Sequence, residues 1–345
     1  MGPLIPGLLD DVAELCLTRI PRSEFRTISQ VCSRWRRFLM CKHYAAVLKM
    51  PGSVEEEFMC VLLDNMYWEV YDGLYNKLGQ IPPVPGPFKC GYGLMVLDGR
   101  KIVFVGGKYK VRQSNEVRGL KVRRRFEVRD SVFTNAASSN VYEFNPATNR
   151  WRKLADMNVP RHNFAYAVVD GLLYVIRGYS ADDVGILNAE VYNPKTNKWS
   201  LMDCPHRPNF RPAFAFSFHS KLFVVGNESR FIDIYDHRTK IWEELDSGQT
   251  LSVYSYTVVR NKVYFMNMDM AEMGVFDPEK NSWSLVDVPR GLYRLGQCNN
   301  TVVLFKRILL INAISGHLDK EDEVKLRDPP IVLSGFDATS VLIKF

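Results

Sequence analysis

One seven-residue phrase recurs four times in this 345-residue chain and limits what it can become. It reads NPATNRW at Asn145 to Trp151, NPKTNKW at Asn193 to Trp199, DHRTKIW at Asp236 to Trp242 and DPEKNSW at Asp277 to Trp283. An aromatic residue precedes each copy (Phe144, Tyr192, Tyr235, Phe276), and the Trp-to-Trp steps are 48, 43 and 41 residues. Asn-Pro or Asp-Pro starts a turn, because the short side chain bonds its own backbone and proline fixes the next φ. The aromatic and the Trp then fall on adjacent antiparallel strands. A period of about 40 to 50 residues marks a four-stranded unit repeated around an axis, and the tryptophans read as packing between neighbouring units.

Each repeat also holds a tight hairpin with alternating apolar residues. Examples are LMVLDGRKIVFVGG (Leu94 to Gly107), YAVVDGLLYVIRG (Tyr166 to Gly178), FAFSFHSKLFVVGN (Phe214 to Asn227), YTVVRNKVYFMN (Tyr256 to Asn267) and QCNNTVVLFKR (Gln297 to Arg307). Asp98-Gly99 and Asp170-Gly171 are two-residue turn signals, and hairpin plus phrase makes four strands. The double glycine at 106 and 107 decays to Arg177-Gly178, Gly226-Asn227 and Met266-Asn267. This combination resembles the kelch repeat over most of residues 57 to 345. The resemblance implies a β-propeller of six blades, with five as the alternative. Phe58 to Tyr71 reads as the last two strands of a blade with Trp68 in the Trp position. Ile331 to Phe345 reads as the missing first two, so that the termini pair and leave no open edge.

Residues 1 to 50 have a different character. Asp10 or Asp11 can cap a helix over Val12 to Leu17 that Pro21 ends. Further helical stretches carry Phe25, Ile28 and Val31, then Trp35, Phe38 and Leu39. Three helices in about 45 residues are near the limit of an independent core, and Leu8, Leu9, Ile20, Pro21 and Trp35 offer more apolar surface than such a unit covers, which favours a partner. Leu8-Leu9, Asp10-Asp11, Ile20-Pro21 and Val31-Cys32-Ser33-Arg34-Trp35 resemble the F-box pattern, with Leu9 where that family usually has proline. The resemblance implies docking on a Skp-type adaptor of a cullin ubiquitin ligase through Leu8, Leu9, Ile20, Pro21, Val31, Cys32 and Trp35. An F-box at 1 to 50, a linker at 51 to 56 and a kelch propeller at 57 to 345 is a plant architecture of substrate receptors. It implies a non-catalytic subunit that holds a target protein for ubiquitination and proteasomal degradation. A kelch scaffold without a ligase role and a metal-dependent kelch enzyme are the alternatives.

In a four-stranded meander the second-to-third loops and the links between blades share one face. Arg161, His162, Arg207, Arg211, Arg290 and Arg294 fall there, which predicts capture of an acidic or phosphorylated segment by bidentate arginine bonding. An insertion at 108 to 130 with nine Lys or Arg against three acids opens onto the same face. It accounts for most of the net charge of +7, so general nucleic-acid binding is not indicated. Seven scattered cysteines without a C-x-x-C pair predict reduced thiols in the cytosol or nucleus. No signal peptide or membrane-length apolar run is present. No H-E-x-x-H, Walker loop or G-x-S-x-G occurs, so no catalytic residue, metal site or cofactor is expected.

Overall fold

A computed structural model describes residues 3–20, 24–47, 57–63, 67–71, 77–109, 136–146, 148–205, 210–251, 253–259, 262–267, 272–287, 295–296, 302–304, 307–309, 326–327 and 339–344. Six four-stranded antiparallel sheets stand among them, the larger of the two expected blade counts, and each sheet is a meander. Blade 1 takes Thr339–Lys344, Glu57–Leu63, Tyr67–Tyr71 and Lys77–Ile81. Blade 2 takes Gly93–Leu97, Lys101–Val105, Val141–Asn145 and Arg150–Lys153. Blade 3 takes Ala165–Val169, Leu172–Ile176, Ala189–Asn193 and Lys198–Met202. Blade 4 takes Arg211–Phe218, Lys221–Asn227, Ser229–Asp236 and Ile241–Leu251. Blade 5 takes Val253–Val259, Lys262–Asn267, Glu272–Asp277 and Ser282–Asp287. Blade 6 takes Leu295–Gly296, Val302–Leu304, Arg307–Leu309 and Leu326–Arg327. First strands of successive blades touch from blade 1 through blade 6, as strands lining a common axis must.

The repeated phrase behaves as its chemistry dictates. Asn193 Oδ1 accepts from the Lys195 amide at 2.9 Å, and Asp236 Oδ1 from the Arg238 amide at 2.8 Å. The fifth residue of every copy is left-handed: Asn149, Asn197, Lys240 and Asn281 have φ of 52°, 53°, 63° and 45°. Three of the four are asparagine, which tolerates that region best among residues with a side chain. Each Trp then latches the blade before it. Trp151 Nε1 donates to Pro82 O at 2.7 Å, Trp199 to Ala155 O at 2.9 Å, Trp242 to Asp203 O at 3.0 Å and Trp283 to Ser247 O at 2.6 Å. The apolar cores lie accordingly between blades, with Leu94, Phe144 and Trp68 between blades 1 and 2, and Val105, Leu173 and Tyr192 between blades 2 and 3.

Four sequence expectations are corrected. Blade 1 closes with one C-terminal strand and three N-terminal strands, not two and two, because Lys77–Ile81 forms a strand despite its weak alternation. Trp68 therefore lies in the third strand and is absent from the latch position; it is fully buried 6.0 Å from the Trp151 ring. The helical segment has four helices, α1 (Asp10–Thr18), α2 (Phe25–Ile28), α3 (Ser33–Leu39) and α4 (Lys42–Val47), since the chain turns at Met40 and Cys41. Neither Asp10 nor Asp11 caps α1: Leu9 holds the N-cap position without a side-chain bond, and Asp10 Oδ1 instead accepts from the Leu4 amide at 2.6 Å. The linker at 51–56 and the part of the expected closing segment at 331–338 lie outside the described residues.

Candidate functional site

The helical segment has a core of its own, made of Leu4, Ala13, Leu17, Phe38, Leu39, Tyr44 and Val47. Trp35 belongs to that core: it is half-buried, and its indole N–H donates to Leu4 O at 2.8 Å. Ile20 packs there as well. Cys32 caps α3, its Sγ accepting from the Trp35 amide at 3.4 Å. What the core leaves in water is a separate set of residues. Leu8, Leu9 and Val12 flank the start of α1 at 39%, 74% and 41% exposure, and Val31 and Met40 bracket α3 at 61% and 84%. Of the expected contacts, Leu8, Leu9, Val31 and Cys32 are exposed, Ile20 and Trp35 are partly buried in the core, and Pro21 lies outside the described residues. Val12 and Met40 were missed because a helical pattern alone does not say which apolar face is left over.

On the propeller, the link face is built around backbone crossings. Gly106 and Gly107 adopt φ of 61° and 96°, and the Gly107 amide donates to Arg161 O at 2.9 Å. A Cβ on Gly106 would stand 2.8 Å from that carbonyl, so the double glycine is where the next link crosses the blade. In blade 3 the first glycine is replaced by Arg177, which keeps a φ of 56°. Its guanidinium stacks 4.6 Å over Phe210 and donates to Pro205 O, tying blade 3 to the following link.

This crossing corrects the reading of Arg161. Its side chain is fully buried and spends its donors internally. Nη2 bonds Glu190 Oε1 at 2.7 Å and Asn188 Oδ1 at 2.9 Å, while Nη1 bonds Arg177 O at 2.9 Å and Asn188 O at 3.1 Å. Burial lowers its pKa from the usual arginine value, opposed by the Glu190 charge. Arg161 is a blade-to-loop fastener with no group left for a partner. His162 is 5% exposed, with Nε2 at 3.0 Å from Ser180 O and 3.1 Å from Asp183 Oδ1, so it supports the loop beneath it. The Lys108 ammonium, 2.9 Å from Asp183, holds that carboxyl below the ordinary range.

Arg211, at the start of the first strand of blade 4, is exposed on the link face. Arg207, Arg290, Arg294 and residues 110–130 of the insertion lie outside the described residues. The same face carries a feature that sequence reasoning missed, the loop between the second and third strands of blade 3. Its turn is closed by Ser180 N to Val184 O at 2.9 Å, Asp183 N to Ser180 O at 3.1 Å and Ile186 N to Gly178 O at 2.9 Å. It holds Val184 and Leu187 in water at 63% and 56% exposure. Two exposed aliphatics in the twelve residues between those strands give no periodic signal.

Blades latched by tryptophan, crossed at paired glycines and accompanied by a separately cored helical head define a kelch-type β-propeller protein. The comparisons agree. A family model described as FKB95, Kelch-repeats domain matches residues 126–323. A putative F-box/kelch-repeat protein of Arabidopsis thaliana is 57% identical over 355 residues, covering 100% of this chain and 98% of that one. Another F-box/kelch-repeat protein of the same plant is 32% identical over 321 residues, covering 88% of this chain and 79% of its own. The solved structure of YjhT aligns with a TM-score of 0.51 at 14% identity over 75% of this chain and 92% of that chain, which speaks to fold alone. The chain belongs to the F-box/kelch-repeat family.

Proposed function

We propose that the protein is the substrate-recognition subunit of an SCF-type ubiquitin ligase, docking by its helical head on a Skp-type adaptor and holding a target protein on the propeller. The observation that carries this reading is the head itself: a folded unit of four short helices that keeps Leu8, Leu9, Val12, Val31 and Met40 in water. Leaving five large apolar side chains exposed on so small a unit is costly for solubility unless a partner covers them. The protein then supplies proximity and orientation, not bond chemistry, since holding two reactants together makes their encounter effectively unimolecular. Cytosol or nucleus is the compartment, in keeping with six free cysteines among the described residues.

The target is captured on the link face, where Arg211 offers a forked donor and Val184 with Leu187 offers a held apolar contact. An acidic or phosphorylated segment with a neighbouring apolar side chain fits that surface.

Co-expression with a Skp-type adaptor tests the first half. A stable complex is expected, weakened at least tenfold by Leu9→Asp or Val31→Asp, both of which leave the head's core intact. Trp35→Ala is the wrong probe, because it removes core packing and the bond to Leu4. Absence of a complex at micromolar concentrations overturns the reading.

A further inference from the structure

The repeat supplies its own control for one departure in blade 2. In the third strands, the residue before the repeated aromatic is Val191 in blade 3, Ile234 in blade 4 and Val275 in blade 5. In blade 2 it is Glu143. Across on the second strand, the residues paired with those three are Tyr174, Phe223 and Tyr264, whereas Glu143 pairs with Val103. Blade 2 has thus exchanged an aromatic-on-aliphatic contact for a carboxylate against a smaller side chain. Aliphatic packing is the less demanding solution at such a position, because a buried charge must be desolvated before its partners compensate.

The exchange creates a feature. Glu143 is 3% exposed, its Oε1 accepting from Arg152 Nε at 2.7 Å and its Oε2 lying 3.7 Å from Lys101 Nζ. Over it lies a groove of about 670 Å³ lined by Lys101, Glu143, Asn145, Arg150, Trp151 and Arg152, among others. That volume is within the range of about 300–1,000 Å³ that binding sites occupy. Arg152 is bound to Glu143 through Nε, which fixes the plane of the guanidinium. Three cations face one carboxylate, so the groove is net positive. It opens beside the hairpin and Asn-Pro turns, at the end of the blade opposite the link face.

We propose that this groove is a second interaction surface, which takes an acidic segment of a protein partner through Arg150 and Arg152. The site is independent of the adaptor and target readings above, and its failure leaves them untouched.

The test is fluorescence anisotropy of a fluorescein-labelled hexaglutamate peptide with the full chain at low salt. Binding is expected to weaken as salt rises and to fall at least tenfold in Arg150→Gln/Arg152→Gln. It is also expected to fall in Arg150→Glu, which leaves the Glu143 pair in place. Lys195→Gln/Lys198→Gln, which removes the same charge from exposed positions in blade 3, should bind as the parent does. Absent binding, binding unchanged in both groove variants, or an equal loss in the blade 3 control overturns the proposal. So does inorganic phosphate that senses the groove variants while hexaglutamate does not, because the site would then be for a small anion.

Discussion

Replacing Arg161 by Ala should unfold the propeller more readily than any other arginine substitution on the link face, and the structure sets the size of the effect. The guanidinium serves Glu190 at 2.7 Å, Asn188 through both its side-chain and main-chain oxygens, and Arg177 O, all in a site with no solvent exposure. Removing one partner of such a pair costs about 3–5 kcal/mol, chiefly because the other charge stays buried. Glu190 is not wholly stranded, however: it still accepts from Asn158 N at 2.7 Å, Asn158 Nδ2 at 2.8 Å and Val159 N at 3.0 Å. The loss should therefore fall near the lower end, about 3 kcal/mol. Arg161→Met/Glu190→Leu should cost at least as much as Arg161→Ala alone, because it also strands Asn158 N, Asn158 Nδ2 and Val159 N. Arg211→Ala, on an exposed side chain, should stay within about 0.5 kcal/mol of the parent. Urea denaturation of the full chain followed by tryptophan fluorescence measures all three. A loss below about 1 kcal/mol for Arg161→Ala, accompanied by lost target capture, would show that Arg161 faces a partner and refute the fastener assignment.

Two further predictions concern single residues. Burial among the rings of Phe104, Tyr109 and Tyr142 pushes the Lys89 ammonium down to about 8 from 10.5. The unfolded chain then holds the extra proton between those values, so stability relative to Lys89→Met should rise as pH climbs from about 8 toward 10.5; a flat difference curve in denaturation midpoints would contradict it. Lys240 is the one copy of the fifth phrase position that is not asparagine, at a φ of 63°. Lys240→Asn or Lys240→Gly should stabilise by about 0.5–1 kcal/mol, seen as a higher thermal midpoint, and a lower midpoint would mean that the Lys240 side chain outweighs the backbone strain.

The propeller was legible because its signals are local and repeated. An Asx turn, a left-handed asparagine and a tryptophan within seven residues need no distant partner to be recognised, and four copies fix the period. Blade 1 was misdivided where those signals stop: Lys77–Ile81 has neither turn motif nor clean alternation, and Trp68 imitates a latch without the turn that precedes one. At the candidate sites the limit was burial. A sequence places Arg161 on a loop at the link face, which is true of its backbone, but whether a guanidinium points outward or down onto Glu190 depends on a strand about thirty residues away. The head fared similarly: Ile20 and Trp35 looked available because their pattern is apolar, while the residues left in water were decided by how four helices pack.

Thr339–Lys344 pairs with Glu57–Leu63, so the sheet begun first in synthesis is finished last. Until Thr339–Lys344 emerges, a nascent chain carries a three-stranded blade 1 with an unpaired inner edge, open to wrong partners and to chaperones. A chain cut short before Thr339 would keep its head and most of its blades but leave the ring unsealed.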